Sequence, residues 1–339
     1  MNGADPIPSP WLPTAPCTPG RHCAAHPEAA GAAAPRTAPV PLACARLVAG
    51  IAAVLLGVLL LPVAGPLPAA ARLALVRLWV RAVVRAFGVR LTVTGVRPPA
   101  GRPLLVVADH VSWLDIPLVA AVLPGRMVAK REVRGWPVLG ALAALGGTVF
   151  LDRDGLRRLP GTVREVAGAL AVGGRVTVFP EGSTWCGRAG GRFRPALFQA
   201  AVDTGSDVQP VRIGYRPTWA AAYVGEDPLG ASLWRVVRAR GLTAEIRILD
   251  PISVIQYPDR RLLAAAAQRA VQQPVIQQTS AQQPATRLPA VPRQSAPAVL
   301  ATPAAYRAVA SDSANRPSSS VHHRASSSPA SASSARTPS

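Results

Sequence analysis

The pattern of apolar and polar positions divides the chain into five segments. Residues 1–41 are rich in proline, alanine and glycine without an apolar period, which predicts a disordered leader. Apolar residues dominate 42–90, short strands and helices alternate over 91–256, and a terminal helix is predicted at 257–272. Residues 273–339 are rich in Gln, Pro, Ser and Ala without periodicity, so we expect a disordered tail.

Residues 47–71 are uncharged and mostly aliphatic. Because about 20 apolar residues cross a bilayer core, this run is long enough to span a membrane or to dip into it. Two alternatives stay open: a buried helix of a soluble protein, and a secretory signal ending in the small residues at 69–71. The 46 residues before the run argue against the signal, whose charged leader is normally short.

Residues 69–90 are basic and amphipathic. Arginines recur there every four or five residues with aliphatic side chains between them, at Arg72, Arg77, Arg81 and Arg85. This pattern predicts a helix lying on an anionic leaflet, and an ordinary surface helix is the alternative. The two segments together predict a helix pair at the cell membrane, and the arginine excess after the first helix places the following part of the chain on the cytoplasmic side.

Short apolar runs alternate with helical patterns from residue 90 to residue 256. The predicted strands are 90–96, 103–108, 126–130, 148–151, 175–179, 208–215 and 243–249. The predicted helices are 116–123, 137–145, 159–172, 195–204 and 229–240. Such alternation indicates an α/β domain with a mixed, largely parallel sheet flanked by helices.

The charge balance favours an anionic partner. The chain carries 37 Lys+Arg against 17 Asp+Glu, a net charge of +20, but Lys130 is its only lysine, and this arginine-rich composition is typical of a GC-rich genome. Since aromatics make up only 5% of the chain and the arginines form no dense run, we expect no nucleic-acid partner. The four cysteines lack paired spacing, so we expect neither a disulfide framework nor a metal site.

The first candidate site is the segment DHVSWLD, residues 109–115, directly after a predicted strand. Ligands of open α/β sheets bind at the carboxyl ends of strands. His110 followed five residues later by Asp115 can form a general base with the carboxylate that orients it. The structural alternative is that Asp115 caps the next helix or completes a capping box with Ser112.

A second candidate site is the segment 176–185, where a strand ends in a turn. Glu181, Gly182 and Ser183 form this turn, and its backbone N–H groups and hydroxyl suit an anion or a developing oxyanion. A plain strand–turn is the alternative. A lipid hydrolase using Ser183 as nucleophile is disfavoured, because the Gly-x-Ser-x-Gly elbow is absent.

Two further segments complete the set. Residues 146–153 bring Arg153 to the end of a strand, where its guanidinium could hold a phosphate. The alternative is a surface ion pair with Asp152 or Asp154. Residues 208–214 fit core packing better than catalysis.

In this order the four segments resemble the 1-acylglycerol-3-phosphate acyltransferase family (lysophosphatidate acyltransferases, PlsC type). The family motifs N-H-x4-D, Gly…F-I-x-R, F-P-E-G-T-R-S and V-x-P-V are similar to residues 109–115, 147–153, 179–185 and 208–211. The linking stretch around Lys130 and 135–137 is also similar. The resemblance covers roughly residues 70–256.

The resemblance implies the glycerolipid acyltransferase fold and a reaction. An acyl group would move from acyl-CoA or acyl carrier protein to the free hydroxyl of a lysophospholipid, converting 1-acylglycerol-3-phosphate to phosphatidic acid. His110 would be the general base and Asp115 would orient it; attack is direct, so no cofactor and no metal is expected. The substrate-binding residues implied are Arg153, Glu181, Gly182, Ser183 and Lys130.

Three positions depart from the family pattern. Asp109 replaces the asparagine before the histidine, and its negative charge is expected to raise the basicity of His110. Ser183 replaces a threonine and keeps the hydroxyl. Thr184 stands where members that make phosphatidic acid have arginine, which favours another acceptor, such as lyso-ornithine lipid. The non-enzymatic alternative is an arginine-rich membrane-binding protein.

Overall fold

The structure, a computed structural model, describes residues 15, 17, 37–99, 101–152 and 155–273. Most of the predicted leader and nearly all of the predicted tail lie outside these residues, as does Arg153. Within the described residues the chain forms a seven-stranded sheet with helices on both faces and a helical hairpin before the first strand.

All seven predicted strands are present, with ends that differ by at most two residues. They are Arg90–Thr94 (β1), Leu104–Ala108 (β2), Arg126–Lys130 (β3), Val149–Leu151 (β4), Arg175–Val178 (β5), Asp207–Arg216 (β6) and Thr243–Ile248 (β7). The helices are Val40–Ala64 (α1), Ala69–Ala86 (α2), Asp115–Val122 (α3), Leu139–Leu145 (α4), Leu159–Ala171 (α5), Phe198–Thr204 (α6), Thr218–Ala221 (α7), Leu229–Arg238 (α8) and Arg260–Gln272 (α9). Short 3-10 turns occupy Arg131–Gly135 and Leu156–Arg158.

The strand order is β1-β7-β6-β2-β5-β3-β4. Strands β6, β2, β5, β3 and β4 run parallel, whereas β7 pairs antiparallel with β6 and parallel with β1. This confirms the prediction of a mixed, largely parallel sheet flanked by helices. The carboxyl ends of the parallel strands therefore share one edge with the amino ends of β1 and β7.

The central strand β2 divides the core into two layers. All five of its residues are buried, which is typical of a parallel strand covered on both faces. Leu104 and Val106 pack in a core with α2, α3 and α8, and Leu105 and Val107 pack in a second core with α5, α6 and α9. This two-sided packing fixes the end of β2, after which His110 follows.

Helices α1 and α2 form an antiparallel hairpin held together through glycines. A side chain at Gly57 would come within 2.0 Å of the Trp79 ring, and one at Gly50 within 2.2 Å of the Phe87 ring. The Trp79 indole Nε1 donates to the Ala53 carbonyl at 2.7 Å. Only glycine permits this approach, so the two helices lie side by side along most of their length.

Both ends of the hairpin join the α/β domain. Arg46 donates to the carbonyls of Val237 and Ala239 at 3.0 Å each, at the end of α8 where a helix leaves its carbonyls unpaired. Helix α2 leads back into β1. The predicted helix pair is thus a hairpin that leaves the domain and returns to it on the same side.

The far part of α1 exposes large apolar side chains. Val40–Leu60 is long and apolar enough to cross a membrane, with a mean hydropathy of 2.3. Leu56 and Leu59 are 53% and 73% exposed, although a leucine in a soluble domain is usually buried. An exposed apolar surface of this kind is suited to lipid.

Candidate active site

The side chain of Asp115 folds back onto the loop that follows β2. It is fully buried, and its Oδ2 atom accepts from His110 Nδ1 and Val111 N at 2.7 Å and from Ser112 N at 2.8 Å. These donors precede helix α3, which begins at Asp115 itself. The contact with Ser112 N, together with the donation of Leu114 N to the Ser112 hydroxyl at 3.2 Å, also forms the capping box that was the structural alternative. The arrangement is the one that a histidine base and its orienting carboxylate require.

The imidazole of His110 is held in one orientation. Its ring stacks on Phe179 with centroids 4.2 Å apart, and its side chain remains 16% exposed. The backbone is fixed from two sides, because His110 N donates to Glu181 Oε2 at 2.9 Å and Trp185 N donates to the His110 carbonyl at 2.7 Å. With Nδ1 directed at Asp115, Nε2 is the ring nitrogen able to take a proton from a substrate hydroxyl.

Tyr215 is a member of the site that the sequence motifs did not indicate. It lies on β6, and its hydroxyl donates to Asp115 Oδ1. Burial, followed by the nearby Asp115 charge, raises the pKa of Tyr215 well above its ordinary value, so the hydroxyl stays a donor. The only local signal was the alternation along β6, which points odd-numbered residues into the core.

Asp109 extends the pairing of β2 with β6. Its Oδ1 atom accepts from Ile213 N at 2.9 Å, one step beyond the register pair Ala108 and Val211. Desolvation raises the pKa of Asp109 well above its ordinary value, and the charges of Asp115 and Glu181 add to this effect. Burial thus opposes the negative charge expected beside His110, and the effect of Asp109 on the basicity of this histidine stays a prediction.

Glu181 connects three parts of the site through backbone contacts. It is 3% exposed; Oε2 accepts from His110 N, and Oε1 accepts from Gly191 N at 2.8 Å. Burial raises the pKa of Glu181 to about 7. Because both oxygens hold backbone donors, these contacts are those of a positioning residue; the contact of Glu181 with substrate stays a prediction.

Gly182 and Ser183 complete the turn after β5. Gly182 has φ +76°, a conformation that favours glycine, and its N–H donates to the Phe179 carbonyl at 3.1 Å. That N–H, expected to stabilise an oxyanion, is thus engaged within the turn. Ser183 is half-buried next to it. The contact of Ser183 with substrate stays a prediction.

Lys130 lies on the same edge of the sheet but farther from His110. It is the exposed last residue of β3, and β5 separates β3 from β2. Two strand spacings correspond to about 10 Å. Nearby, Asp152 pairs with Arg131 at 3.1 Å and Arg158 at 3.0 Å. The structure brings His110 into direct contact with Asp115 and Glu181, whereas Lys130 only lies at the same edge of the sheet.

Comparisons with known proteins agree with this architecture. Residues 90–214 match the family model described as Acyltransferase. The chain is 38% identical over 203 residues to the lyso-ornithine lipid O-acyltransferase of Pseudomonas aeruginosa, covering 58% of this chain and 77% of that protein. It is 34% identical over 201 residues to the 1-acyl-sn-glycerol-3-phosphate acyltransferase of Neisseria meningitidis, covering 57% and 77%.

A solved structure shares the fold. The crystal structure of the 1-acyl-sn-glycerophosphate acyltransferase PlsC from Thermotoga maritima superimposes with a TM-score of 0.56 at 22% identity. The match covers 72% of this chain and 97% of that one. The likeness therefore extends over nearly the whole of the neighbour.

Proposed function

The chain belongs to the 1-acylglycerol-3-phosphate acyltransferase family, and on that premise we propose that it moves a fatty acyl group from acyl-CoA or acyl carrier protein to the free hydroxyl of a lyso-lipid. The observation that carries the proposal is the contact of His110 Nδ1 with the buried Asp115 carboxylate at 2.7 Å. This contact leaves Nε2 as the proton acceptor at the carboxyl edge of the sheet.

The reaction needs one base and correct placement. Nε2 of His110 takes the proton of the acceptor hydroxyl while the oxygen forms a bond to the thioester carbonyl carbon. The carbon–sulfur bond then breaks, and the departing thiolate takes the proton from the imidazolium. Asp115, with its other donors, stabilises the imidazolium between these steps. A thioester is already activated, so neither an acyl-enzyme nor a metal is part of this proposal.

Two acceptors fit the chemistry. The family name suggests 1-acylglycerol-3-phosphate, which would give phosphatidic acid, and the names of similar proteins include both this activity and lyso-ornithine lipid acylation. The half-buried Thr184 after the turn supplies no guanidinium for a phosphomonoester. This favours an acceptor without that group.

The hairpin supports a location at the cell membrane, with membrane lipid as a partner. Its exposed leucines would enter the bilayer and bring the site to the lipid surface, where the acceptor keeps its acyl chain in the membrane. Thioester donors are cytosolic, so we place the catalytic domain on the cytoplasmic side.

The test is acyl transfer by purified protein in detergent, with radiolabelled oleoyl-CoA and a panel of lyso-lipids. We expect CoA release that depends on the lyso-lipid, and a loss of about a hundredfold or more in His110→Ala, with the variant still folded and unfolding cooperatively. Near wild-type turnover in that variant would overturn the mechanism. CoA release without acceptor would indicate a hydrolase instead.

A further inference from the structure

One corner of the sheet presents a polar face. On strands β6, β7 and β1, alternate residues point away from the side of the sheet that α2 and α3 cover. These residues are Gly214 and Arg216 on β6, Thr243 and Glu245 on β7, and Thr92 on β1. Their neighbours Ile213, Tyr215, Ala244 and Ile246 are buried in the core. Helix α9 contacts this face at β6, where Arg212 Nε donates to the Val271 carbonyl at 2.6 Å.

A cavity of about 470 Å³ opens on this corner beside the catalytic pair. Its walls include Val111, Gly187 and Tyr215. Val111 directly follows His110, and both its N–H and the Tyr215 hydroxyl donate to Asp115. The cavity is thus built partly from the residues that orient the base, and its volume suits a small head group.

The cavity pairs one carboxylate with one guanidinium. The register places Gly214 opposite Glu245 and Arg216 opposite Thr243, so Arg216 and Glu245 are diagonal neighbours on adjacent strands, about 7–8 Å apart. Both line the cavity, and the Glu245 side chain is 39% exposed. Its contact with Arg247, at 3.5 Å, is a long ion pair between partly exposed side chains and is therefore weak.

We propose that this cavity binds the head group of the acceptor and selects a head that carries both an ammonium and a carboxylate. The ammonium pairs with Glu245 and the carboxylate with Arg216. A phosphomonoester head would bring its negative charges against Glu245 without supplying a cation, which costs affinity through like-charge repulsion. The inference rests on the proposed function, since it requires that a lyso-lipid hydroxyl reach His110.

Gly214 offers a way to close the cavity without altering its charges. A side chain there would meet no atom within 4 Å of its first carbon, and the residue lies directly opposite Glu245. Gly214→Leu therefore fits the strand and fills the space. Gly168→Leu, on α5 and equally unobstructed, is the matched control.

The experiment compares three acceptors with one acyl-CoA on the full-length protein. The acceptors are a lyso-lipid with a free amine and a carboxylate, the same lipid with its amine acetylated, and lysophosphatidate. We expect wild type to use the free amine about tenfold better than the acetylated lipid in kcat/KM, the size of one charged hydrogen bond. In Glu245→Gln this ratio should fall close to one, whereas in Glu165→Gln, an exposed carboxylate on α5, it should stay unchanged.

Gly214→Leu should raise KM for the lyso-lipid and leave KM for acyl-CoA unchanged. An increase in KM for acyl-CoA alone would show that the cavity holds the donor and would overturn the inference. The inference would also be overturned if Glu245→Gln still acylated lipid and kept the wild-type preference for the free amine. Failure to acylate any of the three acceptors, by contrast, would contradict the proposed function itself.

Discussion

Replacing Tyr215 by phenylalanine removes one hydrogen bond from the carboxylate that orients the base. Asp115 is fully buried and receives four donors, of which the Tyr215 hydroxyl is the only one on Oδ1 among the described contacts. A hydrogen bond to a charged group contributes about 1.5–3 kcal/mol, and phenylalanine fills the same space, so no cavity adds to the loss. For a chain of this size, about 2–4 °C of melting temperature corresponds to each kcal/mol. We therefore expect Tm to fall by roughly 3–12 °C.

The effect on turnover should be smaller than that of removing the base. His110 keeps its own bond to Asp115 Oδ2, so kcat should fall by less than the roughly hundredfold expected for His110→Ala. The assay combines thermal unfolding in detergent with acyl transfer at saturating acceptor. Tyr257→Phe, which alters a half-buried tyrosine packed against the other core, is the control. A Tyr215→Phe protein with wild-type Tm and wild-type kcat would refute this reasoning.

Three other outcomes are expected. The pKa of Asp109 is raised in the folded protein, so its contribution to stability is complete below the ordinary pKa and is lost as pH rises through the raised pKa. Asp109→Asn keeps an oxygen for Ile213 N and should make Tm fall less steeply with rising pH. Parallel Tm–pH curves for the variant and the wild type would count against this prediction. Full-length protein should stay in membranes at high salt, because salt does not screen apolar contacts; release by salt alone would exclude insertion of the hairpin. Thr184→Arg should improve the use of lysophosphatidate relative to a zwitterionic acceptor by about tenfold in a competition assay. A wild type that already prefers lysophosphatidate several hundredfold would show that the inference from Thr184 about the acceptor is wrong.

Much of the fold was predictable because it follows from the spacing of apolar residues along short segments of the chain. The all-apolar run of β2 is typical of a strand covered on both faces, and the alternation along β6 and β7 marks one buried and one polar face. The spacing of His110 and Asp115 likewise placed the two residues around one turn, where they meet. Such features depend on neighbours within a few residues, so the sequence alone specifies them.

The remainder depended on contacts between distant segments. Nothing local indicates that Tyr215 would donate to Asp115, 100 residues earlier, or that Glu181 would accept from the backbone N–H groups of His110 and Gly191. The uncharged run at 47–71 predicted an apolar helix but not that α2 would pack back along it. This packing needs Gly50 and Gly57, because a side chain at either position would clash with an aromatic ring that lies over it.

The cavity beside the site is the clearest example of a feature that depends on contacts between distant segments. Its opposite charges come from two strands that the sequence predicts separately, and only the antiparallel register of β6 with β7 sets Gly214 against Glu245 and Arg216 on the diagonal. A shift of that register by one residue would turn every side chain of a strand to the other face. Hydrophobic periodicity therefore determined which face of each strand is polar, and strand pairing, fixed by packing of the opposite face in the core, decided which polar groups share a cavity.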